Sequence, residues 1–203
     1  MKRFIAIAGN MGVGKTSMVD FLRFHYGFEP VYEPYTTNPY LDDFYKDMKT
    51  WAFHSQLYFL THKFRLHYGL NALPGTIVQD RTIYEDAEIF ATNLYRSRYM
   101  SERDFQTYTE LYESMRQALQ PPHLLIYLRC STRAIRRRIK FRGRPSELAI
   151  PVAYLKKLNN RYEEWIGEYN LSEVFTVDTE DGDYATNLVD QIKFREKLER
   201  FFG

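Results

Sequence analysis

Short apolar runs alternate along the chain with longer stretches in which apolar residues recur at helical spacing. This alternation predicts an α/β protein built around a parallel sheet. The apolar runs predict strands at Phe4–Ala8, Val31–Glu33, Thr76–Asp80, Leu124–Arg129 and Val174–Asp178. The periodic stretches predict helices at Gly14–His25, Pro39–Asp47, Trp51–Tyr68, Ile83–Leu94, Arg103–Leu119, Thr132–Phe141, Pro151–Tyr169 and Tyr184–Phe201.

Polar residues stand where several of the predicted strands end. Gly9 follows the first strand, and Glu33, Asp80 and Asp178 close three others. Ligands of open α/β sheets gather at the carboxyl ends of the strands. We therefore expect the functional site at this edge of the sheet.

The composition fits one folded domain that spans residues 1–203. Of the 203 residues, 44% are hydrophobic and 27% are charged, and no repeat, low-complexity tract or flexible linker divides them. The single cysteine, Cys130, excludes an intrachain disulfide and a cysteine-based zinc site, and it fits a cytoplasmic location. The apolar run Phe4–Ala8 is too short for an export signal, and no run approaches membrane-helix length, so no membrane association is expected.

The net charge of +2 hides a local imbalance. Eight Lys or Arg residues and no acid fall between Arg129 and Arg144, which leaves 20 basic and 26 acidic residues elsewhere. Positive charge confined to one segment indicates a local anionic ligand rather than a generally basic surface.

The segment after the first predicted strand matches the phosphate-loop pattern G-x-x-x-x-G-K-[ST]. Glycines let several backbone N–H groups point into one anion-sized hollow, and the following helix adds its positive N-terminus. Lys15 is expected to reach the outer phosphates, and the Thr16 hydroxyl to bind Mg²⁺. The motif predicts binding of ATP or GTP through Gly9, Asn10, Met11, Gly12, Val13, Gly14, Lys15, Thr16 and Ser17.

Two strand ends carry candidate catalytic residues. Glu33 would be a base for a hydroxyl that attacks a γ-phosphate, if its strand lies beside the first strand. Asp80 would hold Mg²⁺ directly or through water, and Arg81 would steady a phosphate or the base. The alternatives are a solvated acid before Pro34 for Glu33 and a helix N-cap for Asp80.

The basic segment offers a second set of phosphate ligands. Arg138 and Arg142 are four residues apart and share a helix face, and Arg144 follows Gly143. Their guanidinium groups can close over a transferring phosphoryl group and cover its charge, so residues 133–147 are predicted to form an Arg-rich lid. The alternatives are a solvated helix and a helix that binds RNA or DNA.

Aromatic residues make up 17% of the chain, and 14 of the 34 fall between Phe24 and Tyr68. On the helix predicted in this region, Gln56, Phe59, Leu60 and Lys63 share one face. An amide beside aromatic rings suits a flat heteroaromatic ligand, because the amide both donates and accepts hydrogen bonds.

The helix after Asp80 repeats this combination, since Asp86 and Phe90 lie one turn apart. Each single ring in either helix also fits a plain hydrophobic core. The combination of rings with polar groups favours a ligand site.

Together these residues resemble the deoxynucleoside kinases, the family that contains deoxycytidine, deoxyguanosine and bacterial deoxyadenosine kinases. The resemblance runs in the family's order over about the first three quarters of the chain. The matching pieces are the phosphate loop, Glu33-Pro34, Tyr45-Lys46-Asp47 ahead of Trp51, Gln56, Asp80-Arg81-Thr82, Tyr127-Leu128-Arg129, Arg138, Arg142, Arg144 and Glu147.

The resemblance implies a P-loop kinase fold, a five-stranded parallel sheet flanked by helices. It also implies transfer of phosphate from ATP, with Mg²⁺, to the 5′-hydroxyl of a deoxynucleoside, and a homodimer. Glu33 would be the general base, aided by Arg81, Lys15, Arg138 and Arg142, while Thr16 and Asp80 would serve the metal. The residues expected to bind the nucleoside are Glu33, Tyr45, Gln56, Phe59, Arg81, Asp86, Phe90 and Glu147, and the loop Asp178–Asp183 loosely matches the one that contacts adenine.

Two departures from the family pattern indicate the substrate. Asp80 and Thr82 stand where many animal members have Glu and Ser, which resembles the bacterial branch. Asp86 would accept a hydrogen bond from an amino group or a ring N–H, which disfavours thymidine. The resemblance favours the purine deoxynucleosides, deoxyadenosine and deoxyguanosine, with deoxycytidine as a further candidate.

Two other functions remain as alternatives. A nucleoside monophosphate kinase, similar to thymidylate kinase, would need cations for the phosphate of its acceptor, and between Glu33 and Tyr68 the only arginine is Arg65. A nucleotide switch or nucleic-acid-binding module would use the basic helix instead, whereas the kinase reading predicts no nucleic-acid partner.

Overall fold

The computed structural model describes residues 3–33, 37–180 and 191–199, without 193 and 197. Within them, five strands form one parallel sheet in the order β2-β3-β1-β4-β5. They are β1 (Phe4–Ala8), β2 (Glu29–Val31), β3 (Ile77–Asp80), β4 (Leu124–Arg129) and β5 (Glu173–Asp178). The predicted α/β class with a five-stranded parallel sheet is confirmed.

Helices connect the strands and cover the sheet. They are α1 (Lys15–Tyr26), α2 (Leu41–Lys46), α3 (Met48–Gly69), α4 (Ile83–Glu85), α5 (Thr92–Arg96), α6 (Glu102–Arg116), α7 (Thr132–Arg142), α8 (Pro145–Leu148) and α9 (Val152–Glu168). A 3₁₀ turn follows α3 at Leu70–Ala72, and a π-helical segment, Asp86–Ala91, joins α4 to α5. Within the described ranges, no helix combines the length and the apolarity that crossing a membrane requires.

The centre of the sheet is the core of the fold. All residues of β1 and β3 are buried, and so are the first five of β4. Strands buried on both faces read as continuous apolar runs, which is why β1 and β4 match their predicted bounds. Edge strand β2 buries only Val31, so its short apolar signal led to the predicted range Val31–Glu33, two residues too late.

Capping residues set several helix ends. Asp47 accepts hydrogen bonds from the backbone N–H groups of Lys49 and Thr50, so α3 begins before the predicted Trp51. Ser131 caps α7 in the same way, and Gly143 ends it with a left-handed φ of 69°.

Three helical features depart from the predictions. The predicted helix Ile83–Leu94 is interrupted by the π-helical segment, and the short helix α8 was not predicted. The predicted helix Tyr184–Phe201 lies largely outside the described residues, of which those between 191 and 199 are helical. Residues 181–183 of the predicted adenine-contacting loop lie outside them too, as does Pro34.

Candidate active site

The phosphate loop leaves the carboxyl end of β1 and leads into α1. Gly12 has a φ of 75°, and a Cβ there would lie 2.9 Å from Cγ1 of Ile139, so glycine is required for both conformation and space. The Lys15 amine donates to the carbonyl oxygens of Gly9 (3.0 Å) and Asn10 (3.1 Å). Burial first, and the charge of Arg81 second, lower the pKa of Lys15 to about 8.

Two members of the predicted nucleotide-binding set stand behind the loop rather than in the cavity. The Asn10 side chain is buried and donates to the carbonyl oxygen of Leu155 (3.0 Å) and to Asn159 on α9. The backbone N–H of Gly9 donates to the Glu85 carboxylate at 3.2 Å. The Asn10 side chain and the Gly9 amide therefore hold the loop in place, and a direct contact of these two residues with the nucleotide stays a prediction.

Thr16 and Asp80 meet at the mouth of the loop. The Thr16 hydroxyl donates to Oδ2 of Asp80 at 2.9 Å. Oδ1 of Asp80 is buried and finds no hydrogen-bond partner among the described residues. A hydroxyl and one carboxylate are donors that suit Mg²⁺, which in proteins takes few protein ligands and completes its shell with phosphate oxygens and water. The residues present therefore fit the metal.

Glu33 lies two residues beyond β2 and reaches the loop through Arg81. Nη1 of Arg81 donates to both oxygens of Glu33, at 2.8 and 2.9 Å, and Nζ of Lys63 donates to Oε1 at 2.9 Å. Burial raises the pKa of Glu33, but the charges of Arg81, Lys63 and Lys15 together hold it well below its usual range. The carboxylate is therefore ionised at neutral pH.

The sequence analysis made the role of Glu33 depend on its strand lying beside β1, and the structure reaches the same proximity in another way. Its strand, β2, pairs with β3 and not with β1. Because β3 separates the two, Arg81 at the end of β3 bridges Glu33 to the carbonyl oxygen of Gly9, to which its Nη2 donates at 3.3 Å. Glu33 therefore lies near the phosphate loop although the condition of adjacent strands is not met.

Lys63 continues the line of charges away from the phosphate loop. Its side chain is 1% exposed, and its amine also donates to Oδ1 of Asp86 at 2.7 Å. Burial lowers the pKa of Lys63, but Asp86 and Glu33 raise it above its usual value. Burial raises the pKa of Asp86 despite the opposing charge of Lys63. The sequence placed this cation on the right helix face without assigning it a role.

Arg81 is held in an unusual conformation. Its φ is 59°, in the left-handed region that costs a residue with a Cβ about 1–2 kcal/mol. Its guanidinium carbon lies 4.6 Å from the centre of the Phe90 ring, within the range of a cation–π contact. The backbone conformation and the ring contact both constrain Arg81.

The basic segment is divided between two sets of contacts. Arg138 donates to the carbonyl oxygen of Val13 (3.1 Å) and to the backbone oxygen of Thr179, so it ties α7 to the phosphate loop. Arg142 and Arg144 both pair with Glu147, the latter at 3.2 Å. The three predicted lid arginines therefore include one that is anchored and two that share a carboxylate.

One cavity of about 810 Å³ joins these groups. It contains every predicted nucleoside-binding residue and four arginines of the basic segment, Arg137, Arg138, Arg142 and Arg144. The predicted site residues that line it are Met11, Gly12, Val13, Gly14, Lys15, Thr16, Ser17, Glu33, Tyr45, Gln56, Phe59, Asp80, Arg81, Asp86, Phe90, Arg138, Arg142, Arg144 and Glu147. A volume of this size suits two small organic molecules held end to end.

Sequence reasoning also missed residues that support the site. Tyr154 on α9 lines the cavity, as do Thr179 and Glu180, the latter two from the loop Asp178–Asp183 that the sequence did single out. Glu85 is wholly buried behind it, where it accepts a hydrogen bond from the Tyr162 hydroxyl at 2.8 Å. The capping-box spacing from Thr82 to Glu85 was readable in the sequence, but the distant partners were not.

Comparison with known proteins places this geometry in a family. The deoxynucleoside kinase family model matches residues 5–202. The deoxyadenosine/deoxycytidine kinase of Bacillus subtilis is 39% identical over 196 residues, covering 93% of this chain and 90% of that protein. The deoxyadenosine kinase of Lactobacillus acidophilus is 32% identical over 209 residues, covering 98% and 96%.

Solved structures agree with the sequence matches. The structure of deoxyadenosine kinase from M. mycoides with bound dATP superimposes with a TM-score of 0.85 at 32% identity, covering 97% of this chain and 99% of that one. The same enzyme with bound dCTP gives a TM-score of 0.82 at 33% identity and the same coverage. The chain therefore belongs to the deoxynucleoside kinase family and is a kinase with the P-loop fold.

Proposed function

We propose that this protein transfers the γ-phosphoryl group of ATP to the 5′-hydroxyl of a deoxynucleoside, with a preference for deoxyadenosine and deoxyguanosine. The observation that carries the proposal is the line of charged contacts within one cavity, from the phosphate loop through Arg81 and Glu33 to Lys63 and Asp86. This line joins a phosphate-binding end to an end suited to a nucleobase.

Glu33 is the proposed general base. Its Oε1 accepts hydrogen bonds from Lys63 and Arg81, whereas its Oε2 accepts only from Arg81, so Oε2 retains room for a hydroxyl proton. A carboxylate with a lowered pKa is a weak base, but phosphoryl transfer passes through a loose transition state in which little bond formation to the nucleophile is needed. Positioning and ionisation of Glu33 therefore matter more than its basicity.

The phosphate end stabilises the negative charge that moves during transfer. The cavity where the phosphates would lie is lined by the loop residues 11–17, which include Lys15, and by Arg137, Arg138, Arg142 and Arg144. We propose that Thr16 and Asp80 hold Mg²⁺. When bound, that metal neutralises charge on the phosphate oxygens.

Residues 133–147 are the proposed lid. Arg142 and Arg144, which pair with Glu147, can exchange that carboxylate for a phosphate.

The nucleoside end offers acceptors to the base. Oε1 of Gln56 and Oδ2 of Asp86 are buried without hydrogen-bond partners among the described residues, and both side chains line the cavity. Such oxygens match the amino group of adenine, cytosine or guanine, whereas thymine would oppose them with a carbonyl. The preference for purines within this set is supported by the relatives, which include deoxyadenosine and deoxyguanosine kinases.

Other residues of the cavity are proposed to hold the rest of the nucleoside. Phe59 and Phe90 supply rings that can stack on the base, and Tyr45 and Glu147 are the proposed partners of the 3′-hydroxyl.

A product assay tests the proposed reaction. With ATP and Mg²⁺, we expect the 5′-monophosphates of deoxyadenosine and deoxyguanosine to form faster than that of deoxycytidine, and thymidine to give least product. Chromatography of each reaction identifies the product. Conversion of dTMP to dTDP, with no product from the nucleosides, would instead establish a monophosphate kinase.

Asp86→Ala tests the proposed contact with the base. We expect it to lower kcat/KM for deoxyadenosine by about 10–100-fold, because a hydrogen bond to a charged group is lost, and to change thymidine use far less. Steady-state kinetics with both substrates measure the difference, and Asp86→Asn is the control that keeps volume and an acceptor oxygen. Equal losses for all substrates would assign Asp86 a structural role.

Three further expectations stay predictions. The family resemblance predicts a homodimer, the single cysteine favours a cytoplasmic location, and the interpretation as a kinase predicts no nucleic-acid partner. The inward contacts of Arg138 with the phosphate loop support a role for the basic segment at the cavity rather than on a nucleic acid.

A further inference from the structure

Glu85 is a buried acid that the proposed reaction does not use. Its side chain is wholly buried, and its Oε2 accepts from the backbone N–H of Thr82 at 3.1 Å as part of a capping box at the start of α4. Glutamine serves equally well at that capping position. Burial of a carboxylate is costly and raises its pKa, so helix capping alone does not account for an acid here.

The other oxygen of Glu85 faces three elements of the site. Oε1 accepts from the backbone N–H of Gly9 at 3.2 Å and from the Tyr162 hydroxyl on α9 at 2.8 Å. It lies 3.7 Å from Nε of Arg81. Gly9 is the first residue of the phosphate loop, and a Cβ there would lie 2.8 Å from the carbonyl oxygen of Leu128, so only glycine lets the loop lie this close to β4.

Arg81 depends on this carboxylate for its orientation. Its Nη1 is committed to Glu33 and its Nη2 to the Gly9 carbonyl, whereas Nε is buried without a hydrogen bond among the described residues. Glu85 is the negative charge that faces Nε. At 3.7 Å from Nε, this charge opposes rotation of the guanidinium that would take Nη1 off Glu33.

We propose that Glu85 is a positioning residue for phosphoryl transfer, which fixes Arg81 relative to the start of the phosphate loop and thereby aims Glu33 at the acceptor hydroxyl. The proposal rests on the proposed function, in which Glu33 is the base. Glu85 touches neither substrate, because it stands behind Arg81 and outside the cavity lining.

Glu85→Gln separates this role from helix capping, because glutamine keeps the shape and one acceptor oxygen but loses the charge. We expect kcat with ATP and deoxyadenosine to fall by about 10–100-fold, the loss typical of a small misplacement of reacting groups. The KM for the nucleoside stays within about threefold, since no nucleoside contact is removed.

Tyr162→Phe is a milder variant. It keeps the Glu85 carboxylate and removes one hydrogen-bond donor to it, so kcat should fall, but by less than in Glu85→Gln.

Glu88→Gln is the matched control. Glu88 is three residues along the same helical run, accepts from the Tyr112 hydroxyl at 3.3 Å, and does not line the cavity. Its replacement should leave kcat within about twofold, as expected for a surface change. Active-site titration with a tight nucleotide ligand normalises every kcat to the folded, binding-competent fraction.

A spectroscopic measurement tests positioning without turnover. The Nε–H signal of Arg81 in a ¹H–¹⁵N spectrum is assigned by its loss in Arg81→Lys. It should shift or broaden in Glu85→Gln and stay unchanged in Glu88→Gln. Normal kcat in Glu85→Gln, or a kcat loss explained by the binding-competent fraction alone, would overturn the proposal. Absence of nucleoside phosphorylation by the unaltered protein would refute the proposed function, while the Arg81 signal would still report on Glu85.

Discussion

Glu33→Gln is expected to lower kcat for nucleoside phosphorylation by about 10²–10⁴-fold, the usual contribution of a general base. Glutamine has the size of glutamate and can still accept a hydrogen bond from Arg81, but it cannot take the proton of the 5′-hydroxyl. The phosphate loop is untouched, so affinity for ATP should stay within a few-fold. Single-turnover kinetics measure the chemical step, and fluorescence or calorimetric titration measures ATP binding.

The control for this change is Glu29→Gln, an exposed acid on the same strand, β2. It should leave kcat unchanged, since Glu29 does not line the cavity. The melting temperature of both variants shows whether the fold is retained. A near-normal kcat for Glu33→Gln would remove Glu33 from the role of base.

Lys63→Met is expected to lower the free energy of unfolding by about 3–5 kcal/mol at pH 7. Methionine fills the space of the lysine stem but leaves the buried carboxylate of Asp86 without the cation that lies 2.7 Å from it, and it removes from the part-buried Glu33 one of its two cations, at 2.9 Å. Lost pairing then acts fully on Asp86, and repulsion between the two carboxylates is no longer offset by Lys63. Urea unfolding of both proteins at pH 7 measures the loss.

The dependence on pH identifies the origin of that loss. Protonation of the unpaired Asp86 carboxylate stabilises the variant, so the difference in unfolding free energy from the unaltered protein should shrink as the pH falls from 7 toward 4.5. Acid has the opposite effect on the unaltered protein. Because the pKa of Glu33 is lowered in the folded state, its ion pairs stabilise the fold above the ordinary value of 4.5, and this stabilisation is lost as the pH falls below it. A difference that stays constant over this range would contradict the electrostatic explanation.

Two controls accompany Lys63→Met. Arg65→Met removes an exposed cation two residues along α3 and should cost no more than about 0.5 kcal/mol. The double variant Lys63→Met/Asp86→Asn removes one unpaired charge together with its cation and should recover much of the loss. A double variant no more stable than the single one would show that packing, and not charge, explains Lys63.

The parts of the fold that the sequence predicted well are those whose signal is local. Strands β1 and β4 are continuous apolar runs buried on both faces, so their bounds were readable. The phosphate loop is likewise one unbroken motif. The π-helical segment Asp86–Ala91 was not readable, because one extra residue per turn changes the apolar periodicity too little over six residues.

The parts of the site that the sequence missed depend on distant partners. Lys63 is 30 residues from Glu33 and 23 from Asp86, and Glu85 is 76 residues from Gly9. A buried charge looks like a surface charge until its partners are known, because burial is tolerated only through pairing. Asp86 was predicted from its ring neighbour, whereas its ion pair required the fold.

Close packing of Gly12 against Ile139 joins the phosphate loop and the body of α7 into one rigid unit, called here the frame. No methyl group fits between them, and Arg138 pins the two together through Val13. Main-chain movement that brings Arg144 to a phosphate must therefore pivot beyond this frame, at Gly143, whereas Arg142 is the last residue of α7 and reaches a phosphate by turning its side chain. Arg138 therefore stays fixed to the phosphate loop, whereas Arg144 lies on the segment that can move.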